Sequence, residues 1–241
     1  MGEDPCLGAT GTTCRKATAR PRKGTTAGKA RPCPPGTGEP GTAPATAVNP
    51  VRFDKAYYDR YYRNPATRVC SPREIQRQGE FIAAYLRHLE VPVKSVLDIG
   101  CGLGRLLAAL SAAFPKARAV GVESSPYLCE AMGWEAGSLP DFPILRHYDL
   151  VICYDVLSYL EDHPAAESIK TIGRLTRRAL YFGALTLEDR ELCDPVRTDT
   201  DVYLRSNRWY RRRLGRHFEP VGGGLWLKKP VEAFIWTLDR R

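Results

Sequence analysis

The stretch that most constrains this chain is Val96-Leu97-Asp98-Ile99-Gly100-Cys101-Gly102-Leu103-Gly104-Arg105-Leu106-Leu107. A short apolar run enters three glycines at alternate positions and then an apolar helical pattern. Glycines in that place allow a tight strand-to-helix turn and let the backbone come close to a bound ligand. Nineteen residues after Gly104, Glu123 ends the next short apolar run. A carboxylate there can accept from both hydroxyls of a ribose. A pyrophosphate site wants a further glycine where this chain has Arg105. Asp98, two residues before the first glycine, would repel pyrophosphate and favours a cationic group such as an α-ammonium.

The rest of the chain supplies elements to match. Residues 53–63 predict a helix whose Tyr57, Tyr58, Tyr61 and Tyr62 share one face. That face serves either as packing on the core or as a lid over a ligand. Ser71-Pro72-Arg73-Glu74 is a helix start with a capping box and proline in the first turn, and Ile75, Ile82, Leu86 and Leu89 continue it toward Pro92. Further helices are expected over 103–114, 126–132, 164–175 and 207–217, the last with Tyr210, Leu214 and Phe218 inward. Strands are expected over 94–100, 117–123, 148–154 and 179–185, with a short one near 134–137. Two more, over 218–227 and 231–238, form an antiparallel hairpin joined by Lys228-Lys229-Pro230. Alternating strands and helices predict an α/β fold, a doubly wound, mostly parallel seven-stranded sheet with helices on both faces. Only 24 residues separate Glu123 from Tyr148, so the sheet is shortened around its third strand.

The sequence resembles the class I S-adenosylmethionine-dependent methyltransferases, which have a Rossmann-like sheet. The resemblance covers about residues 93–240. It is carried by Asp98 to Gly104, by Glu123, and by the run from Tyr148 through Asp155 to Leu160. It implies S-adenosylmethionine as cofactor, held by Asp98, Gly100, Cys101, Gly102, Gly104, Glu123, Ser124, Ser138, Leu139 and Tyr154. Within that set Gly100 and Gly102 line the methionine and ribose, Asp98 faces the amino end, Glu123 takes the ribose hydroxyls, and Gly137-Ser138-Leu139 holds the adenine. Cys153 and Tyr154 lie beside the methionine part. The chain has Ser158-Tyr159 where many small-molecule members carry Glu-His. At that place it has no Asp/Asn-Pro-Pro-Tyr/Phe motif, the mark of the amino-methylating DNA enzymes, and no Cys occupies the family's Pro-Cys nucleophile position.

Acceptor-side groups are expected after the fourth and fifth strands, at the sheet's C-terminal edge. That nominates Asp155, Ser158, Tyr159, Thr186, Glu188, Asp189 and Arg190, then Tyr203 and Arg205 in a polar segment over 193–205. Tyr57 and Tyr61 join them if the first helix is a lid. The acceptor is expected to be a small molecule. The alternatives are an RNA or protein acceptor using the Arg-rich helix over 205–216, or a noncatalytic cofactor-binding module.

Composition bounds the remaining classes. Residues 1–50 contain no Phe, Trp, Tyr or Ile and bury too little apolar surface to fold. They are expected to be a disordered basic tail rich in Pro, Gly, Thr and Ala. Residues 51–241 are expected to form one domain: N-terminal helices over 51–92, a cofactor half over 93–160 and a substrate half over 161–241. The net charge of +9 concentrates in the tail and in Arg205, Arg208, Arg211, Arg212, Arg213 and Arg216, so it does not by itself predict a nucleic-acid partner. The eight Cys form no C-x-x-C pair and no His cluster accompanies them, which predicts reduced thiols and no metal site. No apolar run approaches the roughly 18 residues of a membrane helix, and the expected location is cytoplasmic.

Overall fold

The computed structural model describes residues 52–139 and 141–236. The tail expected over 1–50 lies outside the described residues. The strands are β1 (Ser95–Ile99), β2 (Arg118–Glu123), β3 (Glu135–Ala136), β4 (Tyr148–Tyr154), β5 (Thr176–Gly183), β6 (Phe218–Gly222) and β7 (Leu225–Lys228). They form one sheet in the order β3-β2-β1-β4-β5-β7-β6. β1 pairs in parallel with β2 and β4, β4 with β5, and β2 with β3; β7 runs antiparallel to both β5 and β6. The expected α/β fold is therefore present, including the shortened third strand.

Period-two alternation divides the core. Leu97, Ile99, Val151, Cys153, Leu180 and Phe182 face one layer with α5 (Asp162–Leu175) and α6 (Asn207–Leu214). Val96, Leu150, Ile152 and Ala179 face the other, with α2 (Pro72–His88) and α3 (Arg105–Ala113). Burial on both faces is why these strands read as near-continuous apolar runs. The capping box of α2 forms as the sequence predicts: Glu74 N donates to Ser71 Oγ, and Ser71 N to Glu74 Oε2. Gly79 lets α2 close on α3, since a Cβ there would lie 2.6 Å from Ala109 Cβ.

Three expectations are corrected. The hairpin lies wholly within 218–228, and its turn is Gly222-Gly223-Gly224, all with positive φ. Pro230 has no N–H to give a ladder, and the described residues beyond it, 231–236, form no strand. β5 begins three residues earlier than expected because α5 passes into it without a loop. Its polar start, Arg177-Arg178, is explained by buried Asp149, which accepts from Arg177 Nη1 at 3.1 Å and also from Lys94 N and Ser95 Oγ. The first helix is composite: α1 (Lys55–Tyr58), capped by Asp54, continues as a π-turn over Asp59–Arg63. α4 (Pro126–Met132) matches its expected bounds.

The chain reverses direction across the sheet between β1 and β4. Beyond the carboxyl ends of these two strands a crevice opens, the place where such sheets bind ligands. Among the described residues no helix is long and apolar enough to cross a membrane.

Candidate active site

The floor of the crevice is the glycine turn. Gly100 N and Cys101 N both donate to Val122 O, at 2.8 and 3.1 Å, tying the turn to β2. Gly102 and Gly104 both have positive φ, which favours glycine, but they do different things. A Cβ on Gly104 would lie 2.4 Å from the Trp134 ring, whose Nε1 donates to Gly102 O at 2.9 Å. A Cβ on Gly102 would meet nothing nearer than Tyr58 at 4.0 Å, so the space over that peptide is open. Gly104 thus serves packing against Trp134 and lines neither cavity of the crevice.

Glu123 is buried at the end of β2 and accepts from Gly102 N at 2.8 Å, Ser124 N at 2.8 Å and Ser125 N at 3.0 Å. Its carboxylate pins the turn to the neighbouring strand and the start of α4. Ser124 Oγ also reaches Oε1 at 3.4 Å, whereas Oε2 accepts from Gly102 N alone, so a lone pair of Oε2 remains for a hydroxyl from the cavity. The scaffold role of Glu123 had no signal in the sequence, because it depends on how the turn folds back.

Two carboxyls on the wall lack a compensating cation. Asp98, only 4% exposed within β1, is pushed up to about 8 by burial and by the charge of Glu123. Asp155 follows β4 with φ of 56°, its N–H held by Gly183 O at 2.9 Å. Burial alone pushes it up to about 6.

These groups border two adjoining cavities. The larger, about 350 Å³, is lined by Asp98, Gly100, Cys101, Gly102, Tyr154 and Asp155, and by Tyr57, Tyr61 and Tyr159. The smaller, about 70 Å³, is lined by Glu123, Ser124, Gly137, Ser138 and Leu139. Gly100, Gly102, Tyr154 and Asp155 border both. Cys153 is fully buried and lines neither.

The roof comes from the N-terminal helix, the turn after β4 and the segment after β5. Phe53 packs edge-on against Tyr57 and Tyr159, and the hydroxyls of Tyr57 and Tyr159 meet at 2.8 Å. Arg52 lies 5.1 Å from the Tyr159 ring centre and pairs with Asp199 at 2.9 Å. Cys193, Thr198, Asp199 and Val202 of the segment after β5 complete the wall. The two readings of the tyrosine face therefore merge, since it both packs against Tyr159 and covers the cavity.

Six acceptor-side candidates, Thr186, Glu188, Asp189, Arg190, Tyr203 and Arg205, line neither cavity. Glu188 accepts from Asn207 N at 3.0 Å, ahead of α6. Asp189 accepts from Thr186 N and Oγ1. Tyr203 is half exposed and gives its N–H to Ser158 O. Arg205 is buried and donates to Asp162, Leu157 O, Leu160 O and Tyr203 O. It clamps the neck of the segment, where Thr186 bridges Arg205. Cys70, Gln78, Arg105 and Asp199 line the larger cavity without having been singled out as site residues, because their approach depends on α2 and the distant loop folding over the sheet edge.

Residues 97–178 match the family model described as a methyltransferase domain. Trans-aconitate 2-methyltransferase of Deinococcus radiodurans is 31% identical over 107 residues, 41% of this chain. The chain matches 39% of the length of that relative. Among solved structures, the magnesium protoporphyrin IX methyltransferase ChlM of Synechocystis PCC 6803 with bound SAH has a TM-score of 0.53 at 20% identity, over 76% of this chain and 99% of that one. The plantazolicin methyltransferase BpumL in complex with SAH has a TM-score of 0.51 at 16% identity, over 70% of this chain and 73% of that one. At these identities the structural likenesses concern the fold.

Proposed function

We propose that this chain, which belongs to the class I S-adenosylmethionine-dependent methyltransferases, transfers a methyl group from S-adenosylmethionine to a small molecule held under the tyrosine roof. The observation that carries this reading is the open glycine turn, flanked by Glu123 and by uncompensated Asp98, at the mouth of a roofed cavity.

The residues fit the cofactor by their chemistry. The space over Gly102 would be filled by any side chain. Asp98 lacks a cation, and the cofactor carries an ammonium. Arg105 is the one cation among the lining residues of the larger cavity, suited to the cofactor's carboxylate. Glu123 has acceptor capacity for ribose hydroxyls, and Ser138 and Leu139 border the smaller chamber where adenine would lie. When bound, the cofactor supplies a methyl group already activated on a sulfonium. What the chain adds is alignment and exclusion of water, effects worth about 7–11 kcal/mol when orientation is good.

A small acceptor is supported over RNA by the Arg-rich helix. Arg205 is buried, and Trp209 is covered by Arg205 and Arg213, 4.9 and 3.8 Å from its ring centre. Single-strand readers instead offer aromatic faces to bases among their cations. Titration calorimetry with S-adenosylhomocysteine tests the reading: wild type binds, and Gly102→Asp abolishes binding while the protein stays folded. No binding by wild type would end it.

A further inference from the structure

We propose that the acceptor is an amine, held as a cation beneath Tyr57, Tyr61 and Tyr159 with its nitrogen against the Asp155 carboxylate. This rests on the methyltransferase reading and names the substrate class for that site.

The charges of the larger cavity carry the argument. Its lining carboxyls are Asp98, Asp155 and Asp199, against Arg105 alone. Arg105 gives a hydrogen bond to Tyr62 O at 3.0 Å, and Asp199 is neutralised by Arg52 from outside the lining. Asp98 has the cofactor's ammonium as its natural partner. Asp155 remains. It is the one carboxyl among the lining residues that borders both chambers, where a methyl group must cross from one to the other. Among the described residues, the ionisable groups that feel its charge include Tyr62, Cys70, Cys153, Tyr154, Tyr159, Tyr181 and Tyr210, all neutral at pH 7. No cation among the described residues compensates it. The backbone at Asp155 is left-handed, a conformation that Asp and Asn adopt more readily than other non-glycine residues. Tyrosine faces around an unpaired carboxylate are how proteins bind organic ammonium ions. The same walls disfavour a polyanionic acceptor, which would meet carboxyls with only Arg105 to offset them.

The chemistry balances. An ammonium must lose one proton before its nitrogen can attack. Asp155, raised by burial, is a better proton acceptor than an ordinary aspartate. The nitrogen lone pair then forms the bond to the methyl carbon, the carbon–sulfur pair returns to sulfur, and the proton passes from Asp155 to water. The products are a methylammonium, a neutral thioether and one proton.

The test uses the full chain loaded with S-adenosylhomocysteine. Phenethylamine is titrated beside its isosteres 3-phenylpropanoate and 2-phenylethanol, and the variant is Asp155→Asn. Asparagine tolerates the left-handed backbone, so the variant is expected to keep wild-type melting. The expected result is amine affinity at least about tenfold above either isostere, lost in Asp155→Asn, with S-adenosylhomocysteine affinity kept within about threefold. Equal affinity for the three probes, or an unchanged amine preference in Asp155→Asn, overturns the proposal. So does a variant that weakens S-adenosylmethionine but not S-adenosylhomocysteine, which would assign Asp155 to the sulfonium. Failure of wild type to bind S-adenosylhomocysteine overturns the methyltransferase reading itself.

Discussion

The floor and the roof of the crevice are built by opposite means. On the floor, polar groups are satisfied within the strand ends and turns: Glu123 takes three backbone N–H groups, and Val122 O takes two from the glycine turn. On the roof, side chains hold side chains: Tyr57 to Tyr159, Arg52 to Asp199, Phe53 edge-on to two tyrosines. A floor of backbone bonds fixes one geometry, and removing a partner strands buried donors. A roof of exchangeable side-chain contacts can open at modest cost. The difference teaches which part must be rigid for alignment and which must move to admit an acceptor.

The sharpest way to break this contrast is Glu123→Ala. It leaves three backbone N–H groups without their acceptor, each loss worth about 1–3 kcal/mol where water cannot replace it. Urea unfolding should show a loss of at least about 3 kcal/mol on that scale, and calorimetry should show no S-adenosylhomocysteine binding. A near-neutral Glu123→Ala would mean that the floor is not held as described.

Arg205→Ala tests the next effect, at the neck where the roof segment meets the scaffold. It removes the donor to Leu157 O and Leu160 O and the partner of Asp162. Asp162 is largely exposed and rehydrates, and Tyr203 O is only part-buried, so the cost comes mainly from the buried Leu157 and Leu160 carbonyls and is expected at about 2–4 kcal/mol. Because Arg205 lies outside both cavities, S-adenosylhomocysteine affinity, measured at a temperature where the variant is folded, should stay within about threefold.

The same contrast governs what was legible in the sequence. Asp98, the glycines and Glu123 lie within one local stretch of strand, turn, helix and strand, so residue spacing alone brought them to one crevice. The mainly parallel sheet followed from the alternation of apolar runs. The roof joins residues 52–62 to 193–202 across most of the chain, and no local pattern states that Arg52 will meet Asp199. Glu188 and Asp189 carry the right chemistry in the expected segment, yet backbone donors claim both. At the hairpin the glycines are the better guide: the expected turn at Lys228-Lys229-Pro230 gives way to Gly222-Gly223-Gly224, the stronger turn signal.

A smaller effect separates the two wall carboxyls by pH. Asp98 has a folded-state value near 8 against an ordinary 3.8. Below about pH 4 it is protonated in both states and contributes nothing. As pH rises from about 4 to 8 the unfolded chain ionises while the folded chain keeps the proton, so stability falls across that window. Asp155 adds the same sign up to about 6. Asp98→Asn should flatten the slope of stability with pH relative to wild type. Binding S-adenosylhomocysteine, whose ammonium pairs with Asp98, should release up to about one proton at pH 7, read from calorimetry in buffers of different ionisation enthalpy. A slope shared by Asp98→Asn and wild type would place the titrating group elsewhere.

The smallest expected effect on stability is at the roof. Arg52→Ala removes partly exposed ion pairs to Asp199 and Asp201, and Tyr57→Phe removes one hydroxyl–hydroxyl bond. Each should cost no more than about 1 kcal/mol and leave S-adenosylhomocysteine affinity unchanged. Their signature is kinetic, because a roof that is easier to open admits and releases ligands faster. Stopped-flow dissociation of S-adenosylhomocysteine, followed by tyrosine and tryptophan fluorescence, should accelerate in both variants by about two- to fivefold, the factor that corresponds to a cost near 1 kcal/mol. If dissociation were unchanged while Glu123→Ala behaved as expected, the side-chain contacts over the cavity would not be what retains the ligand. The roof would then be as fixed as the floor, and the contrast between them would be one of composition only.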